Sequence, residues 1–309
     1  MNVLLSSANN KVPLLKALQN AVKRIVPDGI VTAGDINAKV LTRYFSDAFW
    51  HMPSTTESNV SHIISELVRL NITHVLPTRD GELLFWARLK PKLKTLNIAV
   101  LVSDPSVVEV CLDKLAFGQL PISSVIPTYD RLPEGDNSEW VVKERYGAGS
   151  QSLGIKLATN NALAHANELT NPIFQPYYNG QEISIDGWLT HDSKVKALVC
   201  RVRDIVVNGE SQVTYTLPDC PFEDVFTDIL EALKLTGPVV LQAIISENTA
   251  WIIECNSRFG GASTLGIQAG VDSLYWSLCE SSGINITDIE VKMATKSVRQ
   301  VRVAVDFYL

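Results

Sequence analysis

Several signals are missing from this 309-residue chain, and each absence excludes something. Its five cysteines, at positions 111, 200, 220, 255 and 279, form no CxxC pair, and no Cys/His cluster has zinc-ligand spacing. That pattern predicts reduced, mostly buried thiols, with no structural disulfide and no zinc site. Basic residues are in deficit, with 27 Lys and Arg against 33 Asp and Glu, a formal net charge of −6 and no Lys/Arg block. A chain of that balance is not built to coat nucleic acid. No apolar run is long enough to span a bilayer, so no membrane partner is expected. The opening MNVLLSSANN lacks a basic stretch before its short apolar run and reads as a first strand rather than a signal peptide, so a cytoplasmic location is expected. There is no GxSxG and no Cys–His arrangement, which leaves no side-chain nucleophile to predict. Internal repeats and low-complexity tracts are also absent.

What remains is an ordinary globular composition, 46% hydrophobic and 19% charged, in a chain long enough for two or three compact units. The first hundred residues alternate strand and helix signals. Short apolar runs lie at residues 3–8, 30–34, near Phe49, at 73–78 and at 98–102. Between them, Leu14, Leu15, Leu18, Val22 and Ile25 recur at helical spacing, as do Val60, Ile63, Ile64, Leu67 and Val68. Asp80 stands where a helix cap is expected. Strands alternating with helices predict a parallel, doubly wound sheet. The turn after the first strand, Ser6-Ser7-Ala8-Asn9-Asn10, lacks the glycines of a dinucleotide site, so a nicotinamide dehydrogenase is disfavoured. Residues 107–120 read as one helix carrying Lys114. Beyond a polar stretch at 129–139 the strand signals alternate and the turns shorten, which predicts antiparallel sheet with a few helices, including one at residues 222–235.

Three segments carry candidate chemistry. In WVVKERYGAGSQSLGI, a short strand bearing Lys143 runs into Gly147, Gly149, Ser150 and Ser152. Glycines let successive N–H groups point at one anion, and serine hydroxyls and a lysine add donors. The same segment also reads as a flexible hairpin tip beside a snorkelling lysine. In NPIFQPYYNGQEISIDGW, Glu182, Ser184 and Asp186 alternate with Ile183 and Ile185 and share one strand face. That face is either a solvated sheet edge or a track along a nucleotide. In WIIECNSRFGG, Glu254 and Asn256 are two apart on a strand with an apolar start and face one side. A carboxylate there is expensive unless paired or metal-bound. Hard oxygen donors suit Mg²⁺ bridging phosphates, and Arg258 is available to a phosphoryl group. Gln242, twelve residues earlier, would meet Glu254 in a simple hairpin. The alternative is a buried Glu–Arg pair with a hydrogen-bonded Gln.

In order and spacing these motifs resemble the ATP-grasp superfamily, and within it the single-module relatives of the carbamoyl phosphate synthase large subunit. The resemblance covers essentially the whole chain. It implies an α/β fold, α+β in its C-terminal part: a Rossmann-like domain at 1–100, then an ATP-grasp domain at 101–309 with a mobile glycine-rich lid at about 120–175. It implies that Lys114 reaches the nucleotide phosphates, that FQPYYNGQE is the hinge where Gln175 meets the adenine amino group and Tyr177 or Tyr178 offers backbone hydrogen bonds, and that Glu182 holds the ribose. IIECNSRFGG is similar to the terminal metal motif, with Ser257 in place of the usual proline. Gln242 replaces the carboxylate of many members, as in the carbamoyl phosphate synthase branch. Arg201, Arg203 and the turn at 208–211 resemble features of the site's rim. The implied activity is an ATP-dependent carboxylate–amine ligase passing through an acyl phosphate, with ATP and Mg²⁺ or Mn²⁺ as cofactors. Metal ligands would be Gln242, Glu254 and Asn256, and catalytic groups Arg258, Lys143 and Arg203. Implied partners are a small carboxylate and an amine, and a homodimer is compatible. Alternatives are a carboxylase-like or carbamoyl phosphate-forming chemistry, or a non-catalytic ATP-binding protein.

Overall fold

The computed structural model describes residues 1–135, 138–147, 152–207 and 209–308. The first sheet is parallel throughout. Its strands β1 (Asn2–Ser6), β2 (Ile30–Asp35), β3 (Ala48–His51), β4 (His74–Pro77) and β5 (Ala99–Val100) stand in the order β3-β2-β1-β4-β5. The helices between them are α1 (Val12–Ile25), α2 (Val60–Arg69) and α3 (Asp80–Lys94). Central β1 is apolar on both faces because helices cover both, and Val3, Leu4 and Leu5 are fully buried. On α1, Leu14, Leu15, Leu18 and Val22 form the buried stripe. Two details differ from the sequence reading. Val68 is exposed, because the face of α2 that packs inward narrows to Ile63 and Leu67. Asp80 is the first residue of α3 rather than its cap. Glu82 takes the capping role, its Oε1 accepting from the backbone N–H groups of Thr78 and Arg79.

The stretch read as one helix over 107–120 is two, α4 (Pro105–Leu112) and α5 (Lys114–Gly118). The break is at Asp113, which leaves the helical region (φ −103°, ψ 98°) so that its carboxylate can accept from the N–H groups of Leu115 and Ala116. Lys114 is thereby placed at the start of a new helix. A three-stranded antiparallel sheet follows, in the order β7-β6-β8, from β6 (Trp140–Glu144), β7 (Gly154–Leu157) and β8 (Pro172–Pro176), with α6 (Thr159–Ala166) against it.

The largest sheet has six antiparallel strands. They are β9 (Gln181–Leu189), β10 (Val195–Val207), β11 (Glu210–Thr216), β12 (Gly237–Ile245), β13 (Ala250–Asn256) and β14 (Arg299–Val301), in the order β13-β12-β9-β10-β11-β14. Helix α7 (Glu223–Ala232) buries Phe226, Ile229 and Leu230 against one face. Helices α8 (Ser263–Gln268) and α9 (Ser273–Ser281) follow β13, and Leu274 and Leu278 of α9 join Phe259 in a core shared with α1. Apolar packing therefore runs directly from the first sheet's helices into the second half of the chain.

The cysteines correct the expectation of five free thiols. Cys200 and Cys220 are disulfide-bonded, while Cys111, Cys255 and Cys279 are free. The chain after β11 turns back along β10, with the N–H of Leu217 donating to the carbonyl of Cys200, and this brings the two Cα atoms to 5.3 Å. The 20-residue separation hides that approach in the sequence.

His74 links the two halves. It sits on β4, hydrogen-bonded to Thr73 through Nδ1 (2.8 Å) and to Ser282 beyond α9 through Nε2 (3.3 Å). Burial holds its pKa down to about 4, against 6.5 when free. The neutral form is favoured in the fold, so this contribution is fully present above pH 6.5 and is lost as pH falls from 6.5 toward 4. Between pH 7 and 5 the expected loss is about 2 kcal/mol. The check is urea unfolding at both pH values for wild type and His74→Gln. The wild type should lose about 2 kcal/mol more than the variant over that interval, and parallel losses would remove His74 as the cause.

Candidate functional site

The large and small sheets face one another across a cavity of about 590 Å³, within the range of small-molecule sites. Antiparallel pairing lays a polar row across its floor. Arg201 on β10 pairs with Ser184 on β9, Ser184 with Gln242 on β12, and Gln242 with Glu254 on β13. Successive in-register partners present side chains on the same sheet face, so this row is aimed as a unit. One pleat along, Asp186 pairs with Val240 and Val240 with Asn256. Strand β9 is thus central rather than a solvated edge. Ser184 and Asp186 are buried, and only Glu182 at the end of that face is open.

Lys143 enters from the opposing sheet on β6. Its Nζ stands 3.8 Å from Glu254 Oε2, too long for a good hydrogen bond but well within an ion pair. Burial pushes the Lys143 pKa down, and the Glu254 carboxylate opposes that shift. Lys114 donates to the carbonyl of Gly147 at 2.7 Å, and Gly147 adopts φ +105°, a conformation that favours glycine. This bond ties α5 to the mouth of the glycine-rich loop. Of the loop's predicted donors, Gly149 and Ser150 lie outside the described residues. Ser152 is described, and its carbonyl bonds His165 Nε2 at 2.9 Å.

The nucleotide-side candidates also converge. Gln175 on β8 is buried, its Nε2 donating to Thr128 Oγ1 at 2.9 Å, and no bond to its Oε1 is present among the described residues. Tyr178 stacks on Trp251, with centroids 4.3 Å apart, and burial pushes its phenol pKa up. The Tyr177 N–H is used by the Glu139 carbonyl. Glu182 and Arg203 form an ion pair at 3.3 Å, and Arg203 also donates to Ser211 Oγ (3.2 Å) and the carbonyl of Gly209 (2.9 Å). Asn208 of the same turn is outside the described residues.

One partner of a candidate residue escaped the sequence reading. Arg258 does not stand free. The carboxylate of Asp80, at the start of α3, grips it by two contacts of 2.5 Å, Nε to Oδ1 and Nη2 to Oδ2. Arg258 Nη1 donates to the carbonyl of Phe259 at 2.9 Å, and Nη2 lies 3.4 Å from Asn256 Oδ1. The clamp spans 178 positions, and no local signal marks it. Ser257, between Asn256 and Arg258, has a buried hydroxyl with no hydrogen-bond partner among the described residues.

The donor set fits a magnesium ion. Glu254 supplies one carboxylate, Asn256 Oδ1 receives only the long contact from Arg258, and Gln242 stands directly across from Glu254. These are hard oxygens, and a single negative charge suits an ion that shares phosphate oxygens. No three His, Cys, Asp or Glu side chains cluster as metal ligands among the described residues.

A family described as ATP-grasp in the biosynthetic pathway with Ter operon matches residues 168–307, the segment that carries the hinge, the large sheet and the Glu254–Asn256 strand. The fold is shared over nearly the whole chain with biotin carboxylase from Campylobacter jejuni, solved as a β,γ-ATP complex (TM-score 0.71, 14% identity, 94% of this chain and 73% of that one). The chain has an ATP-grasp fold. It is similar in fold to two further solved proteins. The biotin carboxylase domain of Hydrogenobacter thermophilus 2-oxoglutarate carboxylase, with MgADP and bicarbonate, gives a TM-score of 0.70 at 13% identity over 94% of this chain and 72% of that one. Phosphoribosylglycinamide synthetase from Anaerococcus prevotii gives 0.66 at 15% identity over 92% and 75%. No curated protein sequence matches the chain. No helix among its described residues is long and apolar enough to cross a membrane.

Proposed function

We propose that this protein is an ATP-dependent carboxylate–amine ligase of the carbamoyl phosphate synthase-like branch. In this reading it activates a carboxylate as an acyl phosphate, with release of ADP and phosphate. The observation that carries the reading is the cavity floor, where Gln242, Glu254 and Asn256 form one oxygen cluster faced by Lys143 from the opposite sheet and by Arg258 at the end of the strand. A plain structural ion pair would not need two amides beside it. The fold shared with an ATP complex and a MgADP complex supports the nucleotide assignment.

In this reading the adenine lies by the hinge, where Gln175 Oε1 accepts from its amino group and backbone groups at Tyr177 and Tyr178 complete the contact. Glu182 holds the ribose. Lys114 and Lys143 neutralise the triphosphate, and Gln242, Glu254 and Asn256 hold Mg²⁺, which when bound supplies charge neutralisation to the β- and γ-phosphates. An oxygen of the substrate carboxylate attacks the γ-phosphorus in line, and the bond to the β-phosphate oxygen breaks to release ADP. The amine then attacks the acyl carbon, loses a proton, and phosphate leaves. Lys143, Arg203 and Arg258 stabilise charge rather than form bonds, which agrees with the absence of a nucleophile motif. The domain division at residue 100 and the lid at about 120–175 belong to the same proposal.

The first test is nucleotide affinity. Lys143→Ala should weaken Mg-ATP binding by about 10-fold or more, the value of one charge-assisted contact. Titration calorimetry giving unchanged affinity would remove Lys143 from the site. The function itself is tested by screening acids and amines for ADP release with hydroxylamine present, which traps an acyl phosphate as the hydroxamate. Tight Mg-ATP binding with no ADP from broad pools would favour a non-catalytic nucleotide-binding protein. ADP release that depends on bicarbonate alone would favour the carboxylase-like alternative.

A further inference from the structure

The cavity has a second cationic end that the nucleotide assignment leaves unused. Arg201 is 3% exposed, and its Nε donates to Asp186 at 2.7 Å, yet its Nη1 has no hydrogen-bond partner among the described residues. Ser184, its neighbour in the polar row, has a buried hydroxyl that is equally unpartnered. Arg302, which follows β14, borders the same cavity. It holds Glu210 at 2.9 Å and the carbonyl of Gly261, and its buried Nε has no partner. Buried donors are rarely left without an acceptor, so three at one cavity wall call for an explanation.

The two guanidinium groups converge. A Cβ on Gly260 would lie 3.7 Å from Arg201 Nη2, and a Cβ on the adjacent Gly261 would lie 3.6 Å from Arg302 Nη2. The glycine pair is therefore a bare floor between two arginine forks. Gly260 itself sits over Val240, the register partner of Asn256, so this floor is about one strand spacing, roughly 5 Å, from the strand that carries the oxygen cluster. The space beside it is where an acid must lie to face a γ-phosphate held by that cluster. A planar fork with free N–H groups matches a carboxylate.

We propose that Arg201 and Arg302, over the Gly260–Gly261 floor and with the Ser184 hydroxyl, bind the carboxylate of the acid substrate. The inference rests on the ATP-dependent ligase reading and adds a residue from the C-terminal segment to the site. The substrate is then a small organic acid, recognised by two guanidinium groups before it is phosphorylated. Because Arg302 directly follows β14 at the sheet's edge, specificity for the acid resides partly outside the strands that carry the oxygen cluster.

The test uses full-length protein loaded with Mg²⁺ and a non-hydrolysable ATP analogue, so that the γ-phosphate position is already filled. Mono- and dicarboxylates of up to six carbons, the common amino acids and inorganic phosphate are then titrated by thermal shift and calorimetry, since a ligand that binds only the folded state raises its stability. At least one carboxylate should bind saturably to wild type, and Arg302→Gln should weaken it by about 10-fold or more, with Arg302→Lys intermediate. The affinity for the ATP analogue, titrated separately, should change less than about twofold in both variants. Equal carboxylate affinity in wild type and Arg302→Gln, or no carboxylate bound at all, overturns the proposal. Tighter, Arg302-dependent binding of phosphate than of any carboxylate overturns the assignment to an acid. Failure of wild type to bind the analogue would instead overturn the nucleotide reading beneath it.

Discussion

Glu254→Gln is expected to lower substrate-dependent ADP release by at least about 10²-fold while leaving the protein folded. The loss is of that size because the change deletes the one carboxylate in the oxygen cluster, and removing a single element of a preorganised electrostatic site costs about 10²–10³ in rate. Three observations concentrate the effect at this residue. Its register partner Gln242 and its strand neighbour Asn256 are neutral, so neither can replace the charge. Lys143 faces it at 3.8 Å and would lose the counter-charge that opposes the effect of burial, so it can shed its proton rather than stay as an unpaired buried cation. Gln keeps the volume and shape of Glu, so core packing is not disturbed, and the unfolding free energy should change by no more than about 1 kcal/mol. Asn256→Ala should behave similarly. The measurement is coupled-assay ADP production with the hydroxamate trap, alongside urea unfolding of each variant. Turnover within a few-fold of wild type in Glu254→Gln would refute the metal-ligand assignment.

Asp186→Ala is expected to do the opposite, with its main cost in stability. Asp186 and Arg201 are both nearly inaccessible, 5% and 4% exposed in their side chains, and Nε meets Oδ2 at 2.7 Å. The second carboxylate oxygen accepts from Ser263 at 2.7 Å. Removing the carboxylate leaves a buried guanidinium with no counter-charge and a buried hydroxyl with no acceptor. Breaking a buried pair from one side costs about 3–5 kcal/mol. A denaturant midpoint close to wild type would mean that the cavity admits enough water to solvate Arg201. Replacing both partners together, as Asp186→Leu with Arg201→Met, should recover much of the loss, since hydrophobic pairs of similar volume often substitute for buried ion pairs without penalty.

How much of this was legible in the sequence depended on whether the signal was local. The alternation of strand and helix through residue 100 and the periodicity of α1 predicted a parallel sheet, and the ATP-grasp order of motifs pointed to the fold now observed. The facing of Gln242 and Glu254 was also accessible, because twelve residues around a polar turn allow little besides a hairpin. Contacts made through space were not accessible. Nothing near Asp80 indicates that it grips Arg258, and helical spacing alone could not distinguish a first helical residue from a cap. Asp113 broke a periodic apolar stretch because its side chain caps the following helix, a local competition that periodicity ignores. The Cys200–Cys220 pairing needed the path of the chain after β11, and Arg302 needed β14 to reach the sheet's edge. Gly149 and Ser150 of the loop remain expectations.

The contact between Asp80 and Arg258 has a further meaning for how such a protein can be taken apart and rebuilt. The guanidinium belongs to one half of the chain and its anchor to the other, across a shared apolar seam that includes Phe259, Leu274 and Leu278. A chimera that took its first hundred residues from a relative would have to re-form that shared seam. Unless the donor brought a carboxylate to position 80, it would present Arg258 unrestrained. Exchange of either half is therefore constrained at this pair of positions as well as at the shared apolar seam and the His74–Ser282 contact, and no alignment of either half alone would reveal the pairing.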